Sequence, residues 1–218
     1  MKVVQFYFDP ISPYVWLAYH QLYRIKEKFE VQFDYIPVLF AGLLNAHQNK
    51  GPAEIPAKRV HTLTDTMRWA LYYGLEYKSP PAHPFNPLKP LRVCLAVDDA
   101  AKKEKVVGDL LDATWSKGLD ITQESTLLAL LKVHDLDAAA ILQKAESPEI
   151  KQVLRDNTER AIQRGVFGVP TFIVDQELFW GHDRLLLLDR YLEGELAINK
   201  DYLEELLQRP RAADRPQR

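Results

Sequence analysis

Apolar and polar positions change rhythm along this chain, and each change marks an element. Lys2 to Phe8 carries Val3, Val4, Phe6 and Phe8 in a β-branched and aromatic run, which predicts a mostly buried strand. Pro13 to Phe29 then places Trp16, Leu17, Leu22, Ile25 and Phe29 at helical spacing with polar residues between them. Val31 to Val38 returns to alternation, with Pro37 as a stop. Strand, helix, strand over this length predicts a βαβ unit with a right-handed crossover.

From Leu39 to about Gly165 the strand signal fades and helical periodicity takes over. Phe40 to Pro56 is rich in Gly, Asn and Pro and reads as a loop over a site. Helical patterns cover Ala57 to Tyr73, Pro90 to Lys102, Lys105 to Trp115, Glu124 to Val133, Leu136 to Lys144 and Pro148 to Arg164. The prolines between Ser79 and Pro90 forbid a continuous helix there. Asp135 and Ser147 signal helix starts, and Gly118 a stop. Thr171 to Val174 and Leu178 to Trp180 predict an antiparallel hairpin about Asp175-Gln176, followed by a closing helix over Asp183 to Leu192. No internal repeat appears. The polar stretch from Arg209 to Arg218 is expected to be disordered.

Composition narrows the function more than the fold. A chain of 218 residues can bury a substantial core, and 47% hydrophobic with 27% charged residues is ordinary for a globular protein. A net charge of -2 provides no basic field for nucleic acid, so small-molecule partners are expected. No apolar run approaches the roughly 20 residues a membrane span needs. The amino terminus starts directly in a strand pattern, without a basic n-region or cleavage site, and cytoplasmic residence is the expectation. The single cysteine, Cys94, lies in an apolar helical pattern and reads as a core residue with nothing nearby to activate it. The six histidines show no paired spacing, so no metal site is expected.

The candidate chemistry sits where the first strand breaks into the first helix, at Asp9-Pro10-Ile11-Ser12-Pro13-Tyr14. The first N–H groups of a helix lack partners and favour an anion in front of them. Ser12 is placed to cap that helix, and Pro13 suits its first position. Capping alone is one reading of Ser12.

The order βαβ, helical block, ββα resembles the thioredoxin-like α/β architecture with a large all-helical insertion, in the variant seen in DsbA-type oxidoreductases. On that reading residues 1–40 and 165–208 form the thioredoxin-like part and residues 41–164 the insertion. Where such proteins carry Cys-x-x-Cys, this chain has Ser12-Pro13-Tyr14-Val15, which excludes dithiol exchange. The chain instead resembles 2-hydroxychromene-2-carboxylate isomerases and kappa-class glutathione transferases. The matching stretches are Phe8-Asp9-Pro10-Ile11-Ser12-Pro13-Tyr14-Val15-Trp16-Leu17-Ala18, then Gly165-Val166-Phe167-Gly168-Val169-Pro170-Thr171-Phe172, then Leu178-Phe179-Trp180-Gly181-His182-Asp183-Arg184. Asn49-Lys50-Gly51-Pro52 is a weaker match.

That resemblance implies glutathione as cofactor and a small aromatic or unsaturated acid as substrate. Ser12 would donate to the glutathione sulfur and favour its thiolate. Val169-Pro170 would be a cis peptide, with Val169 pairing its backbone to the cysteinyl unit. Asp183 would hold the γ-glutamyl ammonium beside His182, which stands where relatives often have a small polar residue. Asn49 and Lys50 would meet glutathione's carboxylates and backbone, with a solvated polar loop as the other reading of them. Asn86 and Tyr14 would approach the substrate. The implied reaction is cis-trans isomerisation of a ring-opened aromatic ketoacid through a transient thiolate adduct. Conjugation of electrophiles by a kappa-type transferase is the alternative, and a non-catalytic thioredoxin-like binding module the rival from another class. Relatives of this kind are often homodimers, which is the expectation for this chain.

Overall fold

The computed structural model describes residues 1–210. The four strands are β1 (Lys2–Phe8), β2 (Val31–Pro37), β3 (Thr171–Val174) and β4 (Glu177–Trp180), in the sheet order β2-β1-β3-β4. β1 runs parallel to β2, with Phe6 opposite Tyr35, and antiparallel to β3, with Phe6 opposite Phe172. β3 and β4 form the expected hairpin, whose turn residues Asp175 and Gln176 both adopt positive φ. That conformation matches the twist of the flanking strands. The Phe6 and Phe172 rings stack at 4.9 Å on the middle of the sheet. Tyr7 is buried as well as Phe6 and Phe8, because helices cover both faces, and this explains the weak alternation of the first strand.

The first helical pattern is two helices, α1 (Pro13–Tyr19) and α2 (Leu22–Lys28). Trp16 and His20, one turn apart, both bond Oδ1 of Asp112, at 2.9 and 2.7 Å, and the chain turns after them. The segment expected to be a loop is in part helical. Phe40–Ala46 is a helix, α3, followed by a 3-10 turn at Pro52–Glu54. Its first N–H groups are met from far along the chain, Leu39 by Thr158 Oγ1 at 3.0 Å and Phe40 by Asp9 Oδ2 at 2.9 Å. Local composition carries no trace of such caps.

The insertion continues with α4 (Pro56–Tyr73), α5 (Leu88–Ala96), α6 (Ala100–Trp115), α7 (Glu124–Lys132), α8 (Ala138–Ala145) and α9 (Pro148–Gln163). Asp99 caps α6 by accepting from Lys102 N, so the helix expected to reach Lys102 ends sooner. Asp137, not Asp135, caps α8, whereas Ser147 caps α9 as expected. After β4 a 3-10 turn at His182–Arg184 leads into α10 (Leu185–Leu192). An unforeseen helix, α11 (Lys200–Gln208), follows, capped by Asn199 and buried at none of its residues. The expected disordered tail lies, beyond residue 210, outside the described residues. One cluster of buried side chains runs from the sheet into the insertion, with Trp16, Trp115, Phe6, Phe8 and Phe172 its largest fully buried members. Each such side chain contributes about 1.5–3 kcal/mol by leaving water. Among the described residues no helix is long and apolar enough to cross a membrane.

Candidate active site

The turn between β1 and α1 is held from three sides. Asp9 is fully buried, and its carboxylate accepts from Ile11 N at 3.0 Å and Phe40 N at 2.9 Å. Burial pushes its carboxyl up to about 7, against the lowering effect of those two N–H groups. The Trp115 indole on α6 donates to Pro10 O at 2.9 Å, and His83 Nε2 lies 3.0 Å from Ile11 O. A buried carbonyl left without a donor is unfavourable, so these two rings fix the path of the turn.

Ser12 follows in extended conformation before α1, with 8% of its surface exposed. Its expected capping bond is absent: the side chain makes no hydrogen bond to the helix. The hydroxyl is thus left free at the mouth of the turn. Because the predicted helix divides, α1 has only seven residues, and its dipole is correspondingly modest.

Two other predicted segments converge on this turn. Val169-Pro170 is cis. Pro170 O accepts from Gly181 N at 2.9 Å, while neither the N–H nor the C=O of Val169 has a backbone partner among the described residues. The Trp180 indole lies so close to Gly168 that a Cβ there would meet Nε1 at 2.6 Å, which accounts for glycine just before the bend. Gly181 takes φ +110, which also suits glycine. His182 then turns inward, 4% exposed, and its imidazole lies parallel to the Tyr14 ring at 5.4 Å. Burial lowers its pKa below the usual histidine value, so the ring favours its neutral form. Asp183 stays exposed and pairs with its neighbour Arg184 at 2.7 Å.

The remaining residues are placed differently. Asn49 and Lys50 form an exposed loop after α3, where Asn49 Oδ1 accepts from Lys50 N at 2.9 Å. His47 ties this loop to the stretch that leads into Val169-Pro170, its Nε2 lying 3.3 Å from Val166 O. Tyr14 is half-buried and donates its hydroxyl to Asp65 Oδ2 at 2.8 Å. Burial first, then Asp65, raise its pKa, which keeps the hydroxyl protonated. Asn86 is exposed, and its Oδ1 accepts from Leu88 N at 3.0 Å at the start of α5. It is His83, not Asn86, that reaches the turn from the proline-rich segment. Cys94 is buried, and burial pushes its thiol up to about 12, leaving it inert.

Sequence reasoning missed Asp9, His83, Trp115 and Asp65 as site-building residues. Asp9 stood inside the quoted motif and was the one legible signal among them. A cavity of about 300 Å³ also opens among Tyr19, Gln21, Arg24, Tyr35 and Glu104, but none of the predicted site residues lines it.

Comparison with known proteins identifies the family and the fold. The DSBA-like thioredoxin domain matches residues 3–193. A 2-hydroxychromene-2-carboxylate isomerase of Sphingobium xenophagum is 31% identical over 193 residues, covering 88% of this chain and 98% of that protein. Glutathione S-transferase kappa 2 of Caenorhabditis elegans is 28% identical over 194 residues, 85% of this chain and 84% of that one. Among solved structures, a 2-hydroxychromene-2-carboxylate isomerase superposes with a TM-score of 0.83 at 24% identity, covering 95% of this chain and 100% of its own. A cytosolic disulfide reductase, DsbM of Pseudomonas aeruginosa with GSH, superposes with a TM-score of 0.62 at 16% identity, covering 94% and 99%.

Proposed function

The chain belongs to the DsbA-like thioredoxin family, among the 2-hydroxychromene-2-carboxylate isomerases and kappa-class transferases, and from that premise we propose a glutathione-dependent isomerase acting on a ring-opened aromatic ketoacid. When bound, glutathione supplies the thiolate that adds transiently to the unsaturated acid and allows rotation before leaving. The observation that carries this reading is the free hydroxyl of Ser12 at a turn that has no thiol of its own.

Each residue present fits a part of that cofactor. A free thiol titrates near pH 8.5, so at neutrality it is mostly protonated. The Ser12 hydroxyl, donating to sulfur, favours the thiolate, with the Tyr14 N–H as the one unpaired backbone donor at the start of α1 beside it. Val169 offers its free N–H and C=O for strand-like pairing with the cysteinyl unit, as peptide ligands pair with open edges. Asp183 is exposed and opposes a γ-glutamyl ammonium, and Lys50 opposes a carboxylate. His182 contributes through its backbone, since its side chain is enclosed. Asn86 retains a free amide for the substrate, whereas Tyr14 presents only part of its ring.

The test is purified protein with 2-hydroxychromene-2-carboxylate. Isomerisation should require glutathione, and an equal rate without it would defeat the reading. Turnover of chlorodinitrobenzene without turnover of the chromene would favour the kappa-type transferase instead. Cytoplasmic residence belongs to the same proposal, because reduced thiols persist there. So does a homodimer: Val60, Leu63, Met67 and Leu71 leave an apolar stripe exposed along α4, and light scattering would report the mass.

A further inference from the structure

Helix α4 meets the candidate site along a single stripe. Asp65, Trp69 and Tyr73 recur every four residues, so they share one face of the helix. Asp65 takes the Tyr14 hydroxyl at 2.8 Å. Trp69 meets the His182 imidazole edge-on at 4.7 Å, and the Tyr73 hydroxyl lies 3.5 Å from its Nδ1. Tyr14 closes a third side, its ring within 6° of parallel to the imidazole. The insertion thus grips two segments at once, the start of α1 and the turn after β4.

The grip has a direction. His182 stands between Gly181, bonded to Pro170 O, and Asp183, whose carboxylate is exposed. Clasping the imidazole therefore fixes the backbone on which that carboxylate is mounted. Ser12 lies two residues before Tyr14 on the other side of the grip, but its hydroxyl makes no bond to the stripe.

Resting on the glutathione reading above, we propose that Asp65 and His182 are positioning residues. Through Tyr14 they hold the Gly181–Asp183 turn in register with the start of α1, and so set the affinity for the γ-glutamyl end of glutathione and not for its thiol. His182 then replaces a side-chain contact to the ligand with a contact that places the backbone.

Calorimetric binding of glutathione and of cysteinylglycine, which keeps the thiol but lacks the γ-glutamyl unit, tests this. Tyr14→Phe keeps the ring on His182 and removes only the bond to Asp65. It should weaken glutathione binding about five- to tenfold, within what the net loss of one ordinary hydrogen bond gives, and change cysteinylglycine less than about twofold. Asp65→Ala should match it, and Asp65→Asn, whose Oδ1 still accepts, should restore most of the affinity. His182→Ala would open a buried box and lower stability, so the conclusion rests on the two milder positions. Equal losses for both ligands, or none, would overturn the proposal, as would a wild type that binds the two ligands equally while still requiring glutathione for turnover. Wild type that binds neither ligand would remove the glutathione reading itself, and this proposal with it.

Discussion

The Asp9–Ser12 turn and the Asn49–Gly51 loop both carry candidate site residues, yet they are held in opposite ways. In the turn, local bonds from Ile11 N and Ser12 N to Asp9 are joined by three long-range ones: Asp9 to Phe40, Pro10 to Trp115, Ile11 to His83. In the loop, the bonds are local: Asn49 N to Leu44 O, Lys50 N to Asn49 Oδ1, Gly51 N to Glu54 Oε1. Asp9, Pro10 and Ser12 are buried, whereas Asn49 and Lys50 are exposed. Chemistry that needs a fixed donor belongs in the first environment. A charge that only has to find a carboxylate in water works from the second. Removing parts of the turn should therefore reach turnover and stability, and removing parts of the loop only affinity.

The largest effect is expected at Ser12. Ser12→Ala should lower turnover about 10- to 100-fold, corresponding to one or two pKa units of the bound thiol, with the melting temperature unchanged because the side chain makes no capping bond. Next, Trp115→Phe leaves Pro10 O without its donor and should destabilise the fold by about 1–3 kcal/mol, read from the denaturant midpoint. Asp9 adds a pH dependence. Its carboxyl titrates near 3.8 when exposed and at about 7 in the fold, so the folded state holds its proton more tightly across that window. Its contribution to stability is accordingly greatest below pH 3.8 and is lost as pH rises to about 7. Asp9→Asn should flatten that slope in denaturation at several pH values. The smallest effect belongs to the loop: Lys50→Ala should raise the KM for glutathione about two- to threefold, and less at high salt. A Lys50 variant that lost turnover, or a Ser12 variant that lost only affinity, would break the contrast.

The same contrast explains what was legible in the sequence. Strand bounds at Lys2–Phe8 and Thr171–Val174 follow from β-branched and aromatic runs, and Ser147 caps its helix by a bond three residues away. The segments that converge on the site were visible as motifs around Ser12, Val169-Pro170 and Asp183. What escaped was every feature made by distant partners. Phe40–Ala46 looked like a loop because its first N–H groups are met by Asp9 and Thr158. The long first helix divides after Tyr19, and the bonds of Trp16 and His20 to Asp112, nearly a hundred residues on, were equally invisible. Asp65 and Trp69 lie within the Ala57 to Tyr73 helical pattern, and only the fold shows that Asp65 meets Tyr14 and Trp69 meets His182.

The central claim is that Ser12 stabilises a borrowed thiolate at a turn without cysteine. Its most direct measurement is the ultraviolet thiolate absorbance of glutathione titrated with pH in the presence of excess protein. The account predicts a bound thiol pKa one to two units below the ordinary value of about 8.5, returning toward that value in Ser12→Ala. A bound thiol that titrates as it does in water, or a lowered pKa that survives Ser12→Ala unchanged, would contradict it.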